Sequence, residues 1–397
     1  MACGAGRDHY MTPVQTLAGK QVVVAVTGSI AAVEAVKLIH ALRRRGAVVQ
    51  VVMSNAATGI ITPDALTYAS GRPVITRISG LVEHVTYCGD GGSADLLLIA
   101  PCTANTLSKI ACGIDDTPVT TCATTALGSG IPVLIVPAMH HSMFRHPALV
   151  ENITKLRGWG CGILAPRIEE GKAKIADIDE ILLWSERAVM GRPLKGKRVL
   201  ITSGPCREPV DDVRVLTTRS SGQMGRELAL QAFRLGAAVT VVHRDIFPCI
   251  DNLSADTADE MRDAVLQHLA KHGGTDIYVS AAAISDFAPR KKEGKISSGK
   301  PVSLELLPLP KLLDNVVKSY APFTVAFKIE RSPETKAKSL IRQGASIVLM
   351  NDPKTMGSRD GEYELLRKGG SFRIAGTKEE IAEKIWKEVV LTFERTS

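Results

Sequence analysis

Three features of the chain predict two tandem doubly wound α/β units. Short Val/Ile/Leu runs are apolar on both faces, helical patterns separate them, and an opening phrase is repeated. The phrase is Leu17-Ala18-Gly19-Lys20, and again Leu194-Lys195-Gly196-Lys197. Each copy leads into an apolar strand and then a glycine turn, Thr27-Gly28-Ser29 and Ser203-Gly204-Pro205. A strand that breaks at glycine before a helix aims backbone N–H groups at an anion. Two phosphate-binding units are therefore expected in one chain.

The length of 397 residues exceeds one ordinary core and suits two domains. Residues 1–16 read as a loose extension without a signal pattern, 17–190 as the first domain and 191–397 as the second. In the first, Gln21–Val26, Val48–Met53, Asp95–Ala100 and Ile131–Val136 are buried-strand runs. Ile30–Arg45 has helical spacing with a basic last turn before Gly46, and Asp179–Met190 closes the unit. Gly191-Arg192-Pro193 is the linker. The second domain repeats the logic with strands Arg198–Thr202, Ala237–His243, Asp276–Ser280, Phe323–Phe327 and Ile347–Met350. Helices are expected over Gly225–Leu235 and Ala258–His272, then a hairpin (Tyr363–Leu366, Ser371–Ile374) and a last helix from Lys378.

Composition removes several function classes. No apolar run is long enough to span a membrane, and the cytoplasm is the expected location. The eight cysteines show no CxxC pair and no metal spacing, so they read as reduced interior thiols. A net charge of +8 invites a nucleic-acid reading, but 4% aromatic content leaves few stacking platforms. The surplus suits small phosphorylated ligands instead.

The first site is expected at the carboxyl ends of its strands. A dinucleotide fold places Asp or Glu at the end of its second strand to hold ribose hydroxyls. Here the strand ends in Met53-Ser54-Asn55, which favours a terminal monophosphate held by Gly28, Ser29 and Ser54. That is a flavin mononucleotide rather than a nicotinamide dinucleotide; a plain polar loop is the bland alternative. Two further segments follow later strands: Pro101-Cys102-Thr103-Ala104-Asn105-Thr106 and Pro137-Ala138-Met139-His140.

With Thr27–Ala32 and Glu83-His84-Val85, these segments resemble the homo-oligomeric flavin-containing cysteine decarboxylases. The order of motifs resembles the bifunctional family that fuses phosphopantothenoylcysteine decarboxylase to phosphopantothenate–cysteine ligase, and it extends from Leu17 to the final helix. The resemblance implies FMN held by Gly28, Ser29, Ser54, Thr103, Asn105 and Thr106, and His84 as the catalytic histidine. It implies that flavin oxidises the cysteinyl unit to a thioaldehyde, carbon dioxide leaves, and the electrons return to the ene-thiolate. Met139 and His140 would meet the substrate carboxylate; the family's usual residue at 140 is Asn. The family's proton-donating cysteine segment reads Glu169-Glu170-Gly171-Lys172-Ala173-Lys174 here, so Lys172 or Lys174 is the expected substitute.

Around the second glycine turn, the match to the ligase half runs through Gly204 and Arg219-Ser220-Ser221-Gly222 to Ser280–Phe287. By resemblance Ser220, Ser221, Gly222, Ala282, Asp286, Phe327 and Asn351 bind the nucleotide. Asp286 is also the candidate Mg2+ ligand. The basic stretch 290–300 reads blandly as a solvated loop and functionally as a lid that closes Lys295 over a triphosphate. Thr218 stands where the family has an Asn thought to hold the acyl-phosphate intermediate. The implied co-substrate is CTP, with 4'-phosphopantothenate and cysteine joined through an acyl-cytidylate. The halves resemble trimers and dimers respectively, implying a homo-oligomer that closes as a dodecamer. A regulatory flavin-binding protein without turnover is the rival reading.

Overall fold

A computed structural model describes residues 14–169, 172–330, 333–352, 358 and 360–395. The chain separates into two compact units, Met1–Met190 and Gly191–Ser397. In the first, β1 (Gln21–Val26), β2 (Val48–Met53), β3 (Leu96–Cys102), β4 (Val133–Pro137) and β5 (Gly162–Ile163) form one sheet. Its order is β2-β1-β3-β4-β5, and every neighbouring pair is parallel. Because side chains alternate along a strand, Val22, Val24 and Val26 enter one core while Val23 and Ala25 enter another. Both faces are thereby buried, as the uninterrupted apolar runs require.

The chain leaves β1 toward β2 on one side and toward β3 on the other, so the crevice opens at the carboxyl ends of β1 and β3. The helix expected from Ile30 begins as a 3-10 turn, Ile30–Glu34, and becomes α-helical over Ala35–Arg44. Its first turn is tightened by the Ala32 N–H donating to the Ser29 carbonyl at 2.8 Å. Helices Pro63–Ser70, Ala104–Cys112, Pro118–Gly128 and Pro147–Gly158 lie between the strands. Pro63–Ser70 is short and Pro118–Gly128 is rich in Thr and Ala, so neither shows as a periodic stripe, yet the helix ends are well marked. Thr117 and Thr120 form a capping box, and Gly113 ends its helix in the left-handed region.

The second unit has one eight-stranded sheet. Its strands are β6 (Arg198–Thr202), β7 (Ala238–His243), β8 (Asp251–Ser254), β9 (Ile277–Ser280), β10 (Phe323–Ile329), β11 (Ile347–Asn351), β12 (Asp360–Arg367) and β13 (Gly370–Thr377). The order is β8-β7-β6-β9-β10-β11-β12-β13. Pairs from β8 to β11 are parallel, and the terminal hairpin is antiparallel. β10 runs past Phe327 to Ile329, so Phe327 lies within the strand and not at its end. The final helix, Lys378–Glu394, starts at a Thr377/Glu380 capping box. Its Trp386 is buried and donates Nε1–H to the Leu228 carbonyl at 2.8 Å, tying it to helix Gln223–Arg234.

No disulfide joins the seven described cysteines; Cys112 is exposed and Cys249 half-buried, so the interior assignment holds for the other five, and Cys3 lies outside the described residues. Among the described residues no helix is long and apolar enough to cross a membrane.

Candidate active sites

In the first unit a cavity of about 1230 Å³ opens at the carboxyl ends of β1, β3 and β4. Thr27 knots its floor: the hydroxyl donates to the Pro101 carbonyl at 2.7 Å and accepts from the Thr103 N–H at 3.0 Å. Gly28 then passes so close to the turn at residues 55–58 that an added Cβ would meet the Ala56 Cβ at 2.6 Å. Any side chain at 28 would push the two phosphate-facing loops apart. Thr103 caps the helix Ala104–Cys112, its hydroxyl accepting from the Thr106 N–H at 3.2 Å.

Gly28, Ser29, Ser54, Thr103, Asn105, Thr106, Met139, His140 and Lys174 all line this cavity. Ser54 carries the sharpest signal. Its hydroxyl is buried with no hydrogen-bond partner among the described residues, a cost that a ligand oxygen would remove. The volume and this orphaned donor fit a flavin mononucleotide.

The wall opposite comes from a three-stranded antiparallel sheet, in which Met139–His140 pairs with Lys172–Lys174 and that strand with Arg167–Glu169. Main-chain pairing sets Met139 opposite Ala173 and His140 opposite Lys172. The Lys172 side chain lies outside the described residues. Arg167 and Asp177, missed in the sequence, also line the cavity and form an ion pair at 2.8 Å. Lys109, equally missed, lines it and pairs with Asp116 at 2.5 Å. Nothing in their local patterns sets them apart from ordinary surface charges.

His84 is not brought to this cavity within one chain. It sits on the short helix Glu83–Cys88, half-buried, with Nδ1 enclosed and without a partner among the described residues. Leu81, Val82 and Val85 around it are exposed at 77%, 48% and 45%, an apolar patch beside a histidine. The Ser79 hydroxyl and N–H bond the Glu83 carboxylate and hold its pKa below the usual range.

In the second unit the glycine turn is welded to the next strand's end. The Ala283 N–H donates to the Gly204 carbonyl at 2.9 Å. Gly204 has φ +81° and Gly222 φ +72°, conformations that favour glycine. Ser203 donates its hydroxyl to the Gly222 carbonyl at 3.1 Å, drawing the two turns together. Ser220 and Ser221 fold back on the Gly222 and Gln223 N–H groups at the start of the helix. The Thr218 hydroxyl is buried and without a partner among the described residues.

Asp286 is exposed, Ala282 packs partly into the core, and Asn351 is buried at the end of β11. Phe327 meets Tyr363 edge-on, ring centres 5.9 Å apart. Among the described residues no three His, Cys, Asp or Glu gather as a metal site. Lys295 is exposed, on a loop whose main chain is fastened on both sides of it. The Gly294 N–H donates to Asp212 at 2.9 Å and the Ile296 N–H to Asp211 at 3.0 Å. The Ile296 bond, with the N–H groups of Val213 and Arg214 and the Arg214 guanidinium, holds the Asp211 carboxyl well below the usual carboxylate range.

A parallel sheet with a flavin-sized crevice, followed by a second glycine-turn unit, defines a two-domain α/β flavoprotein. Residues 11–189 match the flavoprotein family and residues 194–392 the DNA/pantothenate metabolism flavoprotein C-terminal domain. The coenzyme A biosynthesis bifunctional protein CoaBC of Thermococcus kodakarensis is 44% identical, over 96% of this chain and 97% of its own. The Methanocaldococcus jannaschii protein of the same name is 36% identical over 95% of each. A crystal structure of the C-terminal domain of a CoaBC protein is 28% identical over 52% of this chain and all of that one, with a TM-score of 0.43. The chain belongs to the CoaBC family of bifunctional coenzyme A biosynthesis proteins.

Proposed function

We propose that the first unit is an FMN-dependent phosphopantothenoylcysteine decarboxylase and the second a CTP-dependent phosphopantothenate–cysteine ligase. The observation that carries this is the pairing of two glycine turns at strand ends with two buried hydroxyls, Ser54 and Thr218, that have no partner among the described residues.

In the ligase half the phosphopantothenate carboxylate attacks the α-phosphorus of CTP, and pyrophosphate leaves. Gly204, Ser220, Ser221 and Gly222 surround the phosphates, with Ala282, Phe327 and Asn351 toward the nucleoside. Asp286 would be the one protein carboxylate to hold Mg2+, which would offset phosphate charge there; a single carboxylate suffices because Mg2+ keeps most of its waters. Lys295 comes over the triphosphate and offsets the charge on departing pyrophosphate. The Thr218 hydroxyl donates to the acyl-cytidylate; the cysteine amine then attacks the acyl carbon, CMP leaves, and the amide loses a proton.

In the decarboxylase half, bound flavin supplies the two-electron oxidation and reduction. Gly28, Ser29 and Ser54 surround its phosphate, and Thr103, Asn105 and Thr106 line the rest of its cavity. His140 donates a hydrogen bond to the substrate carboxylate beside Met139. His84 holds the proton next to the reacting cysteinyl unit, and Lys174 or Lys172 returns one to the product. Because His84 lies away from its own cavity, the site is completed by a neighbouring copy's His84 across the apolar Leu81–Val85 surface. The protein is on this reading a homo-oligomer, and the resemblance of its halves to trimers and dimers supports an assembly trimeric through this half, dimeric through the other, and closed as a dodecamer.

The test is incubation with 4'-phosphopantothenate, cysteine, Mg2+ and either CTP or ATP, with products read by mass. Release of 4'-phosphopantetheine, CMP and pyrophosphate is the expected result. A colourless protein that neither binds FMN nor cleaves a nucleotide overturns it.

A further inference from the structure

The end of β7 carries a histidine that the sequence did not single out. His243 is 5% exposed and packs against Phe247, ring centres 4.8 Å apart. The Asp245 N–H donates to its Nδ1 at 2.8 Å, so in the neutral ring the proton sits on Nε2. Burial pushes the His243 pKa down, and the charges of Arg226 and Arg244 push the same way, against the pull of Asp245.

Nε2 is aimed at the two glycine turns. A Cβ on Gly204 would lie 2.4 Å from it, and one on Gly222 2.9 Å. The imidazole edge thus occupies the hollow that both glycines leave open. No hydrogen bond to Nε2 is formed among the described residues, yet Nε2 is not among the fully enclosed, unpartnered atoms. A nine-tenths-buried donor therefore points into a notch shared by Gly204, Gly222 and the start of the twelve-residue helix Gln223–Arg234.

We propose that His243 is a phosphate-binding residue of the second unit, donating Nε2–H to a phosphoryl oxygen of the nucleoside triphosphate between the two glycine turns. This rests on the nucleotide-dependent ligase reading above. A neutral imidazole suits the place. Its donor is fixed in direction by Asp245 and adds no cation where the arginines already supply positive charge. The ring adds a second demand for glycine at 204 and 222 besides their positive φ: a side chain at either would displace the ring edge or cover it.

Two variants of the full chain separate binding from packing. H243F keeps ring volume and the stack on Phe247 but removes the N–H; H243Q keeps a side-chain N–H of similar reach. The nucleotide KM should rise about tenfold or more in H243F with the cysteine KM unchanged, and H243Q should recover most of the loss. Affinity for inorganic pyrophosphate, read by calorimetry, should fall in parallel. H243F with parental nucleotide KM and pyrophosphate affinity overturns the proposal. If H243F does not fold, histidine-labelled parent protein decides. Added pyrophosphate must move the Nε2 nitrogen resonance of His243, and an unmoved resonance overturns it. Should the parent release no pyrophosphate from any nucleotide, the ligase reading fails on its own, while the resonance still reports whether His243 meets a phosphate.

Discussion

Ser54 and His84 are both enclosed polar groups without partners among the described residues, but they sit in different situations. The Ser54 hydroxyl lines the cavity of its own chain, while His84 lies on a helix outside it. A buried hydroxyl left unmatched costs free energy that a ligand can recover, and a bond to a charged phosphate recovers more than one to a neutral group. Replacing Ser54 with Ala should therefore weaken FMN binding by about tenfold or more without lowering the melting temperature of the flavin-free protein. Flavin fluorescence quenching measures the first and a thermal melt the second. An unchanged dissociation constant would detach Ser54 from the phosphate. Gly28 admits no such substitution, because its Cβ would meet Ala56 at 2.6 Å and separate the loops.

At the scale of elements, the basic loop 290–300 is the most informative piece. Its cations look free in the sequence, yet its main chain is tied to Asp211 and Asp212. The Asp211 pKa is depressed in the folded protein, so the carboxylate contributes stability above the unfolded-state value of about 4. That contribution is lost as pH falls through the still lower folded value. Amide exchange at Ile296 should stay slow from neutral pH down to about 4 and quicken only below it, once the intrinsic exchange rate is divided out. D211N should exchange quickly already at pH 7, and slow exchange in that variant would remove the tether. The terminal helix makes a different demand. Trp386 fills the space against helix Gln223–Arg234, so W386A should destabilise the second unit by about 3–5 kcal/mol. Denaturant melts read this loss, and flavin absorbance should persist where the second unit has unfolded.

For the whole molecule, the role proposed for His84, together with its place outside its own chain's cavity, predicts that decarboxylation requires more than one copy. H84N should lose decarboxylation while keeping nucleotide-dependent ligation at the parental rate. Mixed oligomers of H84N with S54A, reassembled from dissociated chains and assayed at an FMN concentration that fills parental but not S54A cavities, should regain decarboxylase activity above either variant alone. In such mixtures some sites join an intact cavity to a neighbour's intact His84. Failure to complement, in mixtures proven by mass to contain both chains, would place His84 at its own chain's site. A sedimentation mass equal to the 42.5 kDa chain would exclude the assembly altogether.

The amino-acid order alone determined the two sheets, because a strand buried on both faces needs an unbroken apolar run, and Gln21–Val26, Arg198–Thr202 and Ile347–Asn351 each provide one. It also determined the glycine turns and the caps, since these depend on a residue and its neighbours within a few positions. The Thr- and Ala-rich helix Pro118–Gly128 escaped it, because its inner face carries mostly small side chains instead of a wide apolar stripe. What only the tertiary structure decided are the meetings of distant segments. Met139 stands beside the strand Lys172–Lys174, Arg167 faces the flavin-sized cavity, and His243 reaches the hollow between Gly204 and Gly222. Those meetings arise from sheet order and the close approach of loops at strand ends. Neither is written in the spacing of any one segment, and the same histidine on a longer turn would be an ordinary buried side chain.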